Sequence, residues 1–195
     1  MLVHLVRHGE VDNPQGLVYG ALPRFGLSIR GQRQAELAAR HLADRPIAAV
    51  WSSPLERALR TAEVIAHPHG LAVKVDNTLV EWDHQGWTGL RWDHLPVERP
   101  GQLEAYLADP TQLDFAGESL DELARRIEQA IGRAADITPG ELVVVGHQDP
   151  LQAGLLQLTG RPLHQLHQDP PQHASIITLR PGTPWIELGR WLPEG

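Results

Sequence analysis

The sequence has no cysteine, no apolar run long enough to cross a bilayer, and fewer basic than acidic side chains. Each deficit removes a class of function. Without cysteine there is no disulfide, no thiolate metal site and no thiol nucleophile. A membrane-spanning helix needs about 20 consecutive apolar residues, and runs such as Leu142–Val145 fall far short of that. The formal net charge of −7 argues against nucleic acid as the main partner. The first residues lack the basic flank and small-residue cleavage site of a secretory signal. These features together predict a cytoplasmic protein that binds neither membrane nor nucleic acid. No internal repeat or low-complexity tract stands out. A chain of 195 residues fits a single domain, residues 1–195, able to bury about 70% of its unfolded surface. Its 42% hydrophobic and 21% charged content is that of an ordinary globular domain.

What the chain does have is one pattern used three times. A short apolar run ends in polar, chemistry-bearing residues and is followed by helical periodicity. Leu2–Val6 leads into Arg7-His8-Gly9-Glu10. Ile47–Trp51 leads into Ser52-Ser53-Pro54-Leu55-Glu56-Arg57. Leu142–Val145 leads into Gly146-His147-Gln148-Asp149-Pro150. This order predicts βα units and an α/β fold: a three-layer sandwich whose mostly parallel central sheet is flanked by helices. Ligands of such sheets bind outside the carboxyl ends of the strands, so Arg7, His8, Arg57 and His147 are expected to meet there around an anion. Ser28 reads as the cap of a helix carrying Ala35, Ala38 and Leu42. Ser53 reads as the cap of a second helix with Pro54 in its first position. Ser119-Leu120-Asp121-Glu122 matches a capping box ahead of Leu123, Ile127 and Ile131. Leu71–Val75 reads as a third strand. His173–Leu179 and Trp185–Trp191 read as late strands, a hairpin around Pro181-Gly182. Residues 91–116, interrupted by Pro96 and Pro100, read as a small helical cap.

Taken singly, each motif has a plain alternative. Arg-His-Gly also suits a surface loop, Arg57 a surface ion pair with Glu10 or Glu56, and His147 a satisfied histidine at a sheet edge. Taken together, they describe phosphate chemistry. A neutral imidazole attacks phosphorus and forms phosphohistidine. Gly9 allows close backbone approach to a phosphate. The Arg7 guanidinium offers paired donors, and its charge disfavours a protonated His8. Arg57 sits where a helix N-terminus already favours anions. His147 can donate to a transferring phosphoryl group.

The residues Leu5-Val6-Arg7-His8-Gly9-Glu10, Ser52-Ser53-Pro54-Leu55-Glu56-Arg57-Ala58, Leu79-Val80-Glu81, Gly86-Trp87-Thr88-Gly89-Leu90, Gly117-Glu118-Ser119-Leu120 and Val145-Gly146-His147 resemble the histidine phosphatase superfamily. Its best-known relatives are the cofactor-dependent phosphoglycerate mutases. The resemblance implies a phosphoglycerate mutase-like fold, with His8 as the phosphorylated nucleophile and Arg7, Arg57 and His147 as its phosphate pocket. It also implies that Glu81 is the general acid and base, and the physics agrees, because a carboxyl beside a phosphate dianion holds its proton to higher pH. No metal and no cofactor are implied. The expected ligand is a small phosphorylated metabolite, and the expected assembly a monomer or homodimer.

The chain also departs from the family pattern. Val11 replaces a threonine. Asn13 falls one residue before the usual asparagine, where Pro14 stands, with the phosphate still within its expected reach. Gln148-Asp149-Pro150 replace two glycines, so Gln148 offers an amide donor to the anion while Asp149 brings negative charge. Hydrolysis is favoured over a mutase reaction because the segment of about 60 residues between Glu81 and Leu142 is shorter than the cap of the family's mutases. A phospholigand-binding module without turnover is the alternative from another class. Lesser expectations are a polar surface loop rather than a metal site for His164, His167 and His173, a solvated or substrate-touching role for His84 and His94, core packing for Trp82, Trp87 and Trp92, and a place at the pocket mouth for Glu118.

Overall fold

The computed structural model describes residues 1–193. β1 (Val3–Arg7) runs through the middle of the sheet, and a loop of Gly, Pro and Asn leads to α1 (Ile29–Leu42). Ser28 caps α1 by accepting from the Gly31 amide. β2 (Ile47–Ser52), α2 (Glu56–Ala66) and a short β3 (Val73–Val75) complete the first half. The cap segment holds two short helices, α3 (Leu95–Glu98) and α4 (Gln102–Ala108), with Pro96 opening the first and Pro100 lying between them. α5 (Leu120–Asp136) starts at a full capping box between Ser119 and Glu122, which satisfies two amides that the first turn leaves open. β4 (Glu141–Gly146), α6 (Gln148–Thr159), β5 (Ile176–Arg180) and β6 (Ile186–Trp191) follow.

The strand order is β3-β2-β4-β1-β5-β6. β1, β2, β3 and β4 pair in parallel, whereas β5 runs antiparallel to both β1 and β6. Side chains alternate across the pleat and build two cores. Leu142 and Val144 of β4 pack with Leu123 and Ile127 of α5 and Leu151 and Leu155 of α6. Val143 and Val145 pack with Ala38 and Leu42 of α1 and Ala62 and Ile65 of α2. This is a three-layer α/β sandwich, and burial on both faces explains why β4 reads as an unbroken apolar run. α5 and α6 approach closely at Gly154, where a Cβ would lie 2.4 Å from Cγ2 of Ile127. No helix among the described residues is long and apolar enough to cross a membrane.

The helix after β2 differs from its expected start. α2 begins at Glu56 with Leu55 in the cap position and no side-chain cap, so Ser53 does not cap it and Pro54 lies outside it. The Ser53 hydroxyl is engaged elsewhere, as described below.

Candidate active site

Two residues are placed by sheet register alone. β1 and β4 are neighbours with Arg7 opposite Gly146, so the next residues, His8 and His147, leave the sheet side by side. Their ring centroids are 5.2 Å apart. The His8 amide donates to the Gly146 carbonyl at 3.0 Å, and the Ser53 amide donates to the Val145 carbonyl at 3.0 Å. The second bond brings the end of β2 and the start of α2 to the same rim. Arg57, in the first turn of α2, then reaches His8. Its Nε donates to His8 Nε2 at 3.3 Å, and its Nη2 donates to the Gly20 carbonyl at 2.7 Å. The guanidinium lies over the Tyr19 ring, 4.6 Å from its centroid.

The protonation of His8 follows from its contacts. Nδ1 lies 2.7 Å from the Gly9 carbonyl, which can only accept. Nδ1 therefore carries the proton, and Nε2 presents a lone pair. Burial, the neighbouring His147 ring and then Arg57 and Arg7 hold the His8 pKa well below its usual value. Burial followed by Arg57 and Arg7 does the same for His147. Both rings are neutral near pH 7. His147 Nε2 is 2.7 Å from Ser53 Oγ. Its Nδ1 is buried without a protein hydrogen bond and lies 3.7 Å from Glu81 Oε2.

Glu81 sits on a braced segment. Arg126 of α5 donates to the carbonyls of Thr78 and Val80 at 2.6 and 3.1 Å and is held in turn by Glu118. The Glu81 side chain is 18% exposed, and Oε1 accepts from the Trp82 amide at 2.9 Å. Burial, and secondly the Asp149 carboxylate, push the Glu81 pKa up to about 7, against the pull of Arg57 and Arg7. Glu118 does not stand at the pocket mouth. Its carboxylate fixes Arg126, and its carbonyl accepts from Trp82 Nε1 at 3.0 Å.

Arg7 is held on two sides. Nη1 donates to Gln148 Oε1 at 2.6 Å and to the Pro171 carbonyl at 3.0 Å, while Nη2 donates to His173 Nε2 at 3.0 Å. His173 thus belongs to the site rather than to a loose surface trio. Its ring lies 5.7 Å from that of His8, and burial with Arg7 lowers its pKa to about 4. His167 instead sits 2.8 Å from the Tyr106 carbonyl, and His164 is exposed. The three histidines do not converge.

A cavity of about 230 Å³ opens beside this cluster. Of the residues expected at the site, Arg7, Glu81 and Gln148 line it, whereas His8, Arg57 and His147 are buried and do not. Tyr19, Tyr106 and Asp149 line it as well. No periodicity marked the two tyrosines, whose loop and cap helix reach the cavity through tertiary contacts. Of the tryptophans, Trp87 packs in the core, Trp82 is buried yet borders the cavity, and Trp92 is 45% exposed at its edge. His84 also lines the cavity, and His94 is exposed outside it.

Two expected phosphate contacts find other partners. Asn13 does not reach the cavity, because its amide exchanges hydrogen bonds of 2.9 and 3.0 Å with the backbone of Leu17 and closes the 13–17 turn. Gly9 is required by packing rather than by a ligand. A Cβ there would lie 2.4 Å from the Gly31 carbonyl oxygen of α1. Its amide, too, donates to Thr61 Oγ1 at 3.1 Å.

The assembled set comprises a neutral imidazole whose lone pair is contacted by Arg57, two guanidinium groups, a second neutral imidazole and a carboxyl with a pKa raised to about 7. These groups suit nucleophilic attack on a phosphoryl centre, with charge stabilisation and proton donation. A family model described as histidine phosphatase superfamily (branch 1) matches residues 3–191. The uncharacterized protein Rv0525 of Mycobacterium tuberculosis is 41% identical over 189 residues, covering 91% of this chain and 88% of that protein. A 2,3-bisphosphoglycerate-dependent phosphoglycerate mutase of Thermoplasma acidophilum is 31% identical over 192 residues, covering 98% and 90%. Among solved structures, a mycobacterial glucosyl-3-phosphoglycerate phosphatase complexed with VO3 superposes with a TM-score of 0.88 at 27% identity, covering 99% of both chains.

Proposed function

The chain belongs to the histidine phosphatase superfamily, and on that premise we propose that it hydrolyses small phosphomonoesters through a covalent phosphohistidine on His8. One observation carries this reading: the Gly9 carbonyl fixes the His8 proton on Nδ1 at 2.7 Å and leaves Nε2 as the nucleophile.

In this reading phosphate oxygens share the Arg7 guanidinium with Gln148 and take over Arg57 Nε, freeing the His8 lone pair that it now contacts. Nε2 bonds to phosphorus as the bond to the leaving oxygen breaks, and Glu81 gives that oxygen its proton. Glu81, now a carboxylate, takes a proton from the water that attacks phosphohistidine. Phosphate leaves, and His8 and Glu81 return to their starting states. The positive charge comes from the protein's own guanidinium groups, so the proposed reaction is metal-independent. Gln148 holds Arg7 in place. We read residues 1–195 as one domain with 91–116 as its cap. The proposed setting is cytoplasmic, the partner a phosphorylated metabolite, and the assembly a monomer or homodimer.

Similarity to a mutase over nearly the whole chain supports a second reading, in which the phosphoryl group returns to another hydroxyl. That reaction needs a site closed to water. Here the cap amounts to two short helices, with Trp92 exposed at the edge of the cavity, which favours hydrolysis. Rapid mixing with 4-nitrophenyl phosphate and alkaline quench should trap phosphohistidine at His8. His8→Ala should lower kcat by about a thousandfold or more. Full activity in that variant would refute the mechanism, and isomerisation of 3-phosphoglycerate without phosphate release would establish the mutase.

A further inference from the structure

Asp149 is a carboxylate in an unusual position. It is 7% exposed, it lines the cavity, and among the described residues it makes no ion pair. Oδ2 accepts from the Tyr106 hydroxyl at 2.7 Å, and Oδ1 accepts from the Gln148 amide at 3.3 Å. Arg7 donates its Nη groups to Gln148, Pro171 and His173, not to Asp149. Asp149 stands in the first turn of α6, where the helix dipole favours a carboxylate, and with no ion pair of its own it is free to receive a cation from outside. Each of its oxygens has a second lone pair to offer.

The rest of the cavity points the same way. Among the described residues Arg7 is the only arginine or lysine lining it, and a bound phosphate would occupy that charge. The lining left for the leaving group includes Asp149, the rings of Tyr106, Trp82 and Trp92, and a neutral His84. Aromatic faces beside a carboxylate attract cations. The same lining repels a substrate carboxylate, for which it provides no counter-charge. The cavity of about 230 Å³ lies at the small end of ligand sites, which favours a compact leaving group.

We propose that the leaving-group end of the cavity selects a small amine-bearing alcohol, so that the preferred substrates are phosphorylated amino alcohols with a primary or quaternary ammonium, and carboxylate-bearing phosphoesters are disfavoured. This rests on the hydrolase reading and names the substrate class for the same site. Asp149 has a competing role as a strap that ties α4 to α6 through Tyr106, and the experiment separates the two.

Phosphate release is measured with phosphoethanolamine, phosphocholine, phosphoserine, 3-phosphoglycerate and 4-nitrophenyl phosphate. Phosphoserine differs from phosphoethanolamine only by a carboxylate. The expected result is a kcat/KM for the two amine esters at least about tenfold above those for phosphoserine and 3-phosphoglycerate. Asp149→Asn keeps an acceptor for Tyr106. It should lower kcat/KM for the amine esters by about tenfold relative to 4-nitrophenyl phosphate, mainly through KM. Trp92→Ala, at an exposed position, should shift the same ratio in the same direction. Equal or better turnover of the carboxylated esters, or a ratio unmoved in both variants, would overturn the proposal. A strap alone would change all substrates together. Binding of phosphocholine and 3-phosphoglycerate to the His8→Ala protein, read by calorimetry, keeps the outcomes apart. Absence of turnover with every ester sinks the hydrolase reading, whereas tighter binding of 3-phosphoglycerate sinks the amine preference.

Discussion

The Ser53 hydroxyl, 2.7 Å from Nε2 of His147, governs which edge of that ring carries a proton. If the hydroxyl donates, His147 keeps its hydrogen on Nδ1, the atom that lies 3.7 Å from Glu81 and has no protein hydrogen bond. In the proposed mechanism that proton is the one His147 donates to the developing charge. On the proposed mechanism Ser53 is a positioning residue, acting through His147. Ser53→Ala should reduce kcat by about tenfold to a hundredfold with little change in KM, and cost roughly 1 kcal/mol of stability from the lost buried hydrogen bond. Equal loss in kcat and unfolding midpoint, with an unchanged His147 tautomer by nitrogen NMR, would mean a structural role alone. A serine beside proline ahead of a helix resembles a cap, so sequence gave no hint of this contact. Only the pairing of β2 with β4 brings position 53 to position 147.

Among the elements, the ones set by periodicity were legible. β1, β2, β4, α1, α5 and the β5–β6 hairpin lie within a few residues of where hydrophobic pattern and capping chemistry put them. His8, His147 and Arg57 were legible for the same reason, because each ends a strand or opens a helix. The parts contributed by irregular segments were not. His173, Tyr19 and Tyr106 come from two loops and a cap helix of seven residues, where no pattern points toward the cavity. Gly9 shows a subtler miss, since its small size serves α1. A Cβ on its counterpart Gly31 would lie 1.9 Å from the Glu10 carbonyl oxygen, so α1 and the loop after β1 meet backbone to backbone. In an open helix Gly→Ala stabilises by roughly 1 kcal/mol. Gly31→Ala should instead destabilise by about 1–3 kcal/mol and lower kcat by displacing His8, which urea unfolding and steady-state rates would show. A stabilised, fully active Gly31→Ala protein would mean that α1 does not fix the loop.

Across the whole molecule, burial of histidine determines how stability responds to acid. His4, His8, His84, His147 and His173 all have pKa values held below the ordinary histidine value, with burial the leading cause in each. His4 lies outside the candidate active site, 2.9 Å from Glu141, so the effect is not confined to that site. Each of these rings stays neutral in the fold while the unfolded chain takes up a proton below about pH 6.5. Their contribution is therefore complete above that pH and is lost as pH falls toward the native values, about 4 for His173. Glu81 acts with the opposite sign. Its native pKa of about 7 lies above the unfolded value, so the fold holds an extra proton between them and loses stability as pH rises through that window. Every proton of difference contributes a slope of about 1.4 kcal/mol per pH unit. With His41, whose pKa burial also lowers, six histidines outweigh one carboxyl, and the expected curve falls steeply from pH 6.5 to 5 and is level above 7. Urea unfolding across that range would measure it. His8→Asn with His147→Asn should flatten the acid limb, whereas Glu81→Gln should steepen it by removing the one opposing proton. An acid limb unchanged by the double substitution would show that these two rings take up protons in the fold as readily as in the unfolded chain, so that the proposed nucleophile His8 would lose its lone pair below about pH 6.5.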